Sequence, residues 1–450
     1  MKAKKIGSLL LAALLALSVF SACSGSDAGS TPAQGSQPSS SQDAVPSQET
    51  SPAASDEPVT VEILHYIGNT VHFNAFNKIL DQYREQHPNV TFDSQGMAKS
   101  DFISQIRTRF AAGDIPDLIN GNPALFPDLI ETGYLMDLTG NELIENLNLT
   151  DADLNDCSYD GVVYAIPVDF KVYGMYYNKD IFEKYNLEVP TSQKELLDIC
   201  QTLTDNGVDP FMRNYATPVY VDTEMRSMLW PLLQENGKFD AFEKIMAGEA
   251  KWADYPEFET ALRTWSERMA YHRTDDMSND FSMGREKFAN GEAAMALEGI
   301  WSLGNIMQFN PDIRIGMFPM PREDGKPNQY GFEMNNLFMI SNENGVADQC
   351  LDFMAYWLQP DIAAYWATET CMPSVVPGVE ADLPEVIETA MQAKQDGQIA
   401  HAGLWTAQLY GEFQTTWEAM LQAYAADRDF DTAKFTAKFQ DAYDEIIKSR

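Results

Sequence analysis

Several polar side chains of this chain stand where apolar, strand-like stretches end. Asp169, Glu298 and Glu333 are carboxylates in such settings, and Asn120, Asn122, Asn335 and Asn336 are amides. A carboxylate accepts two charge-assisted hydrogen bonds, and a carboxamide both accepts and donates. Tyr66 and Asn69 follow another such stretch, and Trp301 comes directly after Glu298-Gly299-Ile300. Flat aromatic faces beside donors and acceptors suit a solute with an apolar C–H face and a rim of hydroxyls. Of the remaining large aromatics, Trp405 lies in a glycine-flanked segment, His401-Ala402-Gly403-Leu404-Trp405, and is preferred over Trp230, Trp366 and Tyr410. Trp417 falls at helical spacing with Phe413 and Met420, which favours core packing. Tyr176 and Tyr177 alternate on a strand, so only one can face a cleft, and Tyr176 is the candidate.

Each candidate also has a plainer explanation. Asp169 could cap a helix or pair with Lys171, the asparagines could be turn residues, and Trp301 could be a core aromatic at a helix start. Catalytic patterns are poor by comparison. There is no G-x-S-x-G elbow, no H-E-x-x-H, no phosphate loop and no dinucleotide fingerprint. Asp169 and Glu298 could serve a glycoside hydrolase only if they stood roughly 5–9.5 Å apart across one bond, which sequence does not measure. The five histidines are dispersed. The acidic run Asp151 to Asp156 lacks the glycine and closing glutamate of a calcium loop and reads better as a helix starting after Thr150. Neither a metal nor a cofactor is expected. A formal charge of −36 argues against nucleic acid, whose phosphates would be repelled.

The elements that would position these residues alternate. Val59 to Leu64 reads as a strand, and Phe73, Phe76, Leu80 and Tyr83 give one face of a helix that stops before Pro88. Val90 to Asp93 is the next strand, Phe102, Ile106 and Phe110 mark a second helix, and Asp117 to Asn120 begins a third strand. This pattern predicts a parallel sheet with helices on both faces and ligands beyond the carboxyl ends of the strands. Further on, Val162 to Val168 and Tyr173 to Tyr177 read as two strands separated by Asp169-Phe170-Lys171. Ala293 to Leu297, Ile313 to Met317 and Leu337 to Ile340 are later strands, and Thr415 to Lys448 is helical. The length implies two domains.

Lys2, Lys4 and Lys5 precede an apolar run from Leu9 to Phe20 that ends in Phe20-Ser21-Ala22-Cys23. This is the layout of a secretory signal, and the tetrad resembles a bacterial lipobox, in which the cysteine carries lipid. Residues 1–22 are then the signal peptide, and 23–57 a lipidated, Ser/Pro/Ala-rich tether with too little apolar surface to fold. Cys157, Cys200, Cys350 and Cys371 are read as buried thiols, with a Cys157–Cys200 or Cys350–Cys371 bridge as the alternative.

Several motifs follow one another in order. Gly113-Asp114-Ile115-Pro116-Asp117, Tyr159-Asp160-Gly161-Val162-Val163-Tyr164-Ala165-Ile166-Pro167, Tyr176-Tyr177-Asn178-Lys179-Asp180-Ile181-Phe182 and Phe288-Ala289-Asn290-Gly291-Glu292-Ala293-Ala294-Met295 are the main ones. Together they resemble the bacterial extracellular solute-binding proteins of carbohydrate ABC transporters, the maltose-binding-protein-like family. The resemblance implies an α/β fold of the type II periplasmic-binding-protein class, two α/β lobes with a hinge and a ligand cleft between them. It places the first lobe at 58–168 plus 336–371 and the second at 171–334 plus 373–450. It puts a stacking tryptophan at Trp301 and a hydroxyl-binding carboxylate at Asp169. The implied function is capture of a carbohydrate, an oligosaccharide by preference, for delivery to an ABC permease. Such a receptor is a monomer and not an enzyme, and Cys23 would anchor it to the outer face of the cell membrane. A polyamine, peptide or iron complex in the same fold, and the hydrolase, are the alternatives.

Overall fold

The computed structural model describes residues 57–68, 70–97, 99–323, 325–403, 405, 411–427 and 431–449. The lipobox with Cys23, the tether, Asn69 and Tyr410 lie outside the described residues. The strands are β1 (Val59–His65), β2 (Val90–Gly96), β3 (Leu118–Asn120), β4 (Ser158–Tyr159), β5 (Val162–Val163), β6 (Ala165–Asn178), β7 (Asp209–Met212), β8 (Ala293–Gly299), β9 (Ile315–Phe318), β10 (Tyr330–Ile340) and β11 (Ile399–His401). Nine of them form one sheet in the order β2-β1-β3-β10-β6-β8-β7, with β11 on β10 and β9 on β6; β4 and β5 make a separate hairpin.

The opening alternation is present. β1 pairs in parallel with both β2 and β3, and the helices Thr70–Gln86 and Lys99–Ala111 join them. Ala75, Phe76, Ile79, Leu80 and Tyr83 bury one stripe of the first helix, as their spacing requires. The rest of the sheet corrects the all-parallel expectation. β6 and β10 run antiparallel, in register from Gly331↔Tyr173 to Met339↔Ala165. Asp169-Phe170-Lys171 is thus the interior of one 14-residue strand, not a gap between two. A strand buried on both faces has no alternation to read, so its polar residues imitate a break.

Buried apolar side chains form two cores. One, on β1 to β3 and continuing across β8 to β10, holds Phe76, Phe102, Phe126, Phe338, Trp357 and Trp366. The other, on β7, β8 and the C-terminal helices, holds Trp230, Trp252, Trp265, Trp405, Trp417 and Phe439. β6 serves both: Phe170 and Val172 enter the first, Tyr173 and Met175 the second. The segment after the helix Pro360–Thr370 returns to β6 at the same level. Phe170 N donates to Pro373 O and Val375 N to Val168 O, each at 3.2 Å. Asn336 and Cys371 adopt left-handed backbone, with φ of 44° and 57°, so two of the crossing segments turn sharply there.

Thr150 caps the helix Asp151–Asp156 with a full capping box, as expected from the sequence. Cys157, Cys200, Cys350 and Cys371 are all free thiols, and the first three are buried, so neither considered bridge forms.

Candidate functional site

A cavity of about 220 Å³ opens at the crossing strands, where the two cores meet. Ile103 and Leu125 line it from the first core, and Lys171 and Glu333 from β6 and β10. The helix Pro218–Glu235 supplies Asp222, Thr223 and Arg226, and Phe281, Trp301 and Trp405 complete the wall. A larger cavity of about 500 Å³ lies beside Trp252, Tyr255 and Asp444. It has no crossing residue and no strand-end candidate in its wall, so position outweighs size in choosing the site.

Four charges are interlocked in the smaller cavity. Lys171 Nζ is 2.9 Å from Glu333 Oε2, and Arg226 Nη1 is 2.6 Å from Glu333 Oε1. Arg226 Nη2 is 3.8 Å from Asp222 Oδ2. Asp222 Oδ1 accepts from Trp405 Nε1 at 3.0 Å and from Trp417 Nε1 at 2.8 Å. Burial pushes the Asp222 carboxyl up, against the pull of Arg226 and the two indoles. The group is a preorganised array of donors and acceptors whose charges cancel one another. Trp301 is its aromatic edge. It packs against both cores, and Lys171 Nζ lies 5.7 Å from its ring centroid. Gly299 is what admits the ring: a Cβ there would sit 2.0 Å from Trp301 Cζ3.

Among the described candidates, Trp301, Glu333 and Trp405 line the cavity and the others are not part of its wall. Asp169 has 0% exposure, and its carboxylate accepts from Asn335 Nδ2 at 2.8 Å, Asn336 Nδ2 at 2.8 Å and Trp366 Nε1 at 2.7 Å. Burial raises its pKa to about 6, while these hydrogen bonds work the other way. Lys171 pairs with Glu333 instead of Asp169. Glu298 is buried and held by Arg285, Nε to Oε1 at 3.1 Å and Nη2 to Oε2 at 3.0 Å. Asp169 and Glu298 are thus each spent on protein donors. Asn120 is buried, donating Nδ2 to Leu337 O at 3.1 Å. Asn122 caps a short 3-10 helix, its Oδ1 accepting from Ala124 N at 2.9 Å. Tyr176 is buried in the first core, and Tyr66 packs edge-on against Phe102 at 5.2 Å. Trp417, read as a core residue, has 0% exposure.

Asp222, Thr223 and Arg226 had no place in the sequence reading. Asp222 and Arg226 are four residues apart on the buried face of Pro218–Glu235, which also buries Glu224, Met225 and Leu229. An acid and a base at i,i+4 on a buried stripe is the signal that marks them.

Comparison with known proteins bears on the fold and the family. The chain is 22% identical over 318 residues to the melibiose/raffinose/stachyose-binding protein MelE of Bacillus subtilis (strain 168), covering 69% of this chain and 72% of that one. It superposes on the solute-binding protein RafE in complex with raffinose with a TM-score of 0.70 at 18% identity, covering 86% of this chain and 100% of RafE. An open conformation of the putative binding protein MsmE of Bacillus subtilis subsp. subtilis str. 168 gives a TM-score of 0.72 at 18% identity, covering 88% and 99%. The fold is that of the periplasmic binding proteins. With residues 78–395 matching the family model described as bacterial extracellular solute-binding protein, the chain belongs to that family.

Proposed function

We propose that this protein is an extracytoplasmic receptor that captures an oligosaccharide and delivers it to the permease of an ABC importer. The observation that carries this reading is the cavity at the crossings, where the Trp301 ring borders the Lys171, Glu333, Arg226 and Asp222 array. A sugar stacks its C–H face on an aromatic ring and exchanges hydrogen bonds around its rim, which is the pairing this wall offers. The names of relatives that bind raffinose, stachyose and melibiose support the same solute class. Residues 58–168 with 336–371 form the first lobe, and 171–334 with 373–450 the second. Closure of the lobes over the solute is favoured because the closed form touches it from both sides. The protein acts as a monomer, and Cys23 carries the lipid that keeps it beside the permease.

Calorimetry with purified protein and a set of oligosaccharides, run alongside product analysis, tests this. Saturable binding at one site per chain without products is expected. Sustained turnover overturns the receptor reading in favour of a hydrolase. A rise in melting temperature with polyamines, peptides or iron complexes and none with sugars keeps the receptor but changes its solute.

A further inference from the structure

Asp169 is the point at which the crossing segments are joined. It is the direct partner of Asn335 across the β6–β10 ladder and forms an isolated bridge with Ser374 on the third segment. Its side chain repeats the connection. One carboxylate oxygen takes Asn335 of β10, and the other takes Asn336 of β10 together with Trp366 of the helix that leads into the third segment. Asn336 can present its amide in this direction because its backbone is left-handed, with φ of 44°. The Trp366 ring packs edge-on against Trp357 at 5.2 Å and His72 at 5.8 Å, so the carboxylate is fastened to the interior of the first core. Two residues along the ladder, the next registered pair with side chains on this face is Lys171 and Glu333, which line the cavity. The carboxylate clamp and the cavity wall are thus adjacent pairs of one face of the same two strands.

We propose that Asp169 is a positioning residue: its carboxylate ties the three crossings together and sets the balance between open and closed lobes, without touching the solute. The proposal rests on the reading of the cavity as a site that closes on its ligand. All three neighbours are donors, so the clamp needs acceptors at both oxygens. Asp169→Asn keeps the shape but turns one acceptor into a donor that faces another donor. Lobe closure is then populated differently, and apparent affinity changes with the fraction of molecules in the competent form.

The test compares Asp169→Asn, the milder Trp366→Phe and the cavity variant Trp301→Ala with wild type by small-angle X-ray scattering without ligand and by calorimetry with the oligosaccharide that wild type binds. Asp169→Asn is expected to alter ligand-free scattering in the range that reports lobe separation and to change Kd about tenfold. Trp366→Phe should give a smaller shift of the same sign, and Trp301→Ala should lose affinity with ligand-free scattering unchanged. Lost affinity in Asp169→Asn with wild-type ligand-free scattering would overturn the proposal, since Asp169 would then act on the solute directly. A lower melting temperature with scattering and affinity unchanged would also overturn it, leaving a purely structural role. If wild type binds no sugar, the solute reading fails, and the ligand-free scattering still decides the clamp.

Discussion

Lys171 and Glu333 are registered partners across the β6–β10 ladder, and their side chains close that relationship with an Nζ to Oε2 distance of 2.9 Å. The same carboxylate holds Arg226 at 2.6 Å, so a cation from the crossing and one from the helix Pro218–Glu235 share one acceptor. Glu333 has only 5% of its side chain exposed, against 23% for Lys171. The array is therefore more buried on the Arg226 side and more exposed on the Lys171 side.

Replacing Lys171 by Met should reveal this asymmetry. Arg226 continues to neutralise Glu333, so melting temperature should fall by no more than a few degrees. Solute affinity should drop by about 1.5–3 kcal/mol, the worth of a hydrogen bond to a charged group. Arg226→Met should do the reverse in order of severity, because a buried carboxylate losing its closest partner costs about 3–5 kcal/mol. Denaturant titration and calorimetry on both variants check the ordering. Equal stability losses would show that Lys171 is part of the structural pair.

Trp301→Ala is expected to weaken sugar binding by about 2 kcal/mol, roughly 30-fold in Kd. It packs against both cores without being fully buried, so the fold should survive at lower stability. The binding heat of the variant, compared with its unfolding midpoint, separates the two effects. Unchanged Kd would remove Trp301 from the site.

Much of this arrangement was legible from local pattern, and the remainder depends on distant contacts. The 3,4 spacing of Phe76, Leu80 and Tyr83 is enough to place a helix on β1, because one stripe of apolar side chains has one way to be buried. Trp301, two residues beyond a buried strand, is singled out because the family resemblance puts a tryptophan at that place. Asp169 could be found but not interpreted. Whether its carboxylate faces solvent or protein is decided by Asn335, 166 residues away, and Trp366, 197 away. Arg226 was missed for the same reason. Its spacing from Asp222 on the buried face marks a pair, but only Glu333, 107 residues further on, shows that the pair belongs to the cavity.

Asp156 provides a pH-dependent test of the packing beside the crossing. Its Oδ2 accepts from Met334 N of β10 at 2.9 Å, and its carboxyl occupies the space where Gly403 would carry a Cβ. Burial raises its pKa from 3.8 to about 8, with the Met334 hydrogen bond working in the opposite direction. A raised carboxyl favours the folded state while it is protonated. Its contribution is therefore complete below about pH 4 and is lost as pH climbs through about 8. Asp156→Asn keeps the acceptor for Met334 N and cannot ionise. The variant's margin over wild type should be smallest near pH 4, widen as pH rises toward 8, and level off above that. Parallel stability curves for the two proteins from pH 5 to 9 would contradict the assignment.

Glu298 and Arg285 allow a structural carboxylate to be told from a binding one. Glu298 has 2% of its side chain exposed and Arg285 13%, and the pair is bidentate. Arg285→Ala leaves an uncompensated buried charge and should cost about 3–5 kcal/mol of stability. Removing both charges, as in Arg285→Leu with Glu298→Leu, should recover most of that loss, because a buried ion pair and an apolar pair of similar volume are often close in stability. A solute-binding carboxylate would behave differently: the double variant would fold well and still fail to bind. Since Glu298 is satisfied by Arg285 and does not line the cavity, affinity in the double variant should stay within about threefold of wild type once folded protein is counted. A well-folded double variant with abolished binding would return Glu298 to the site.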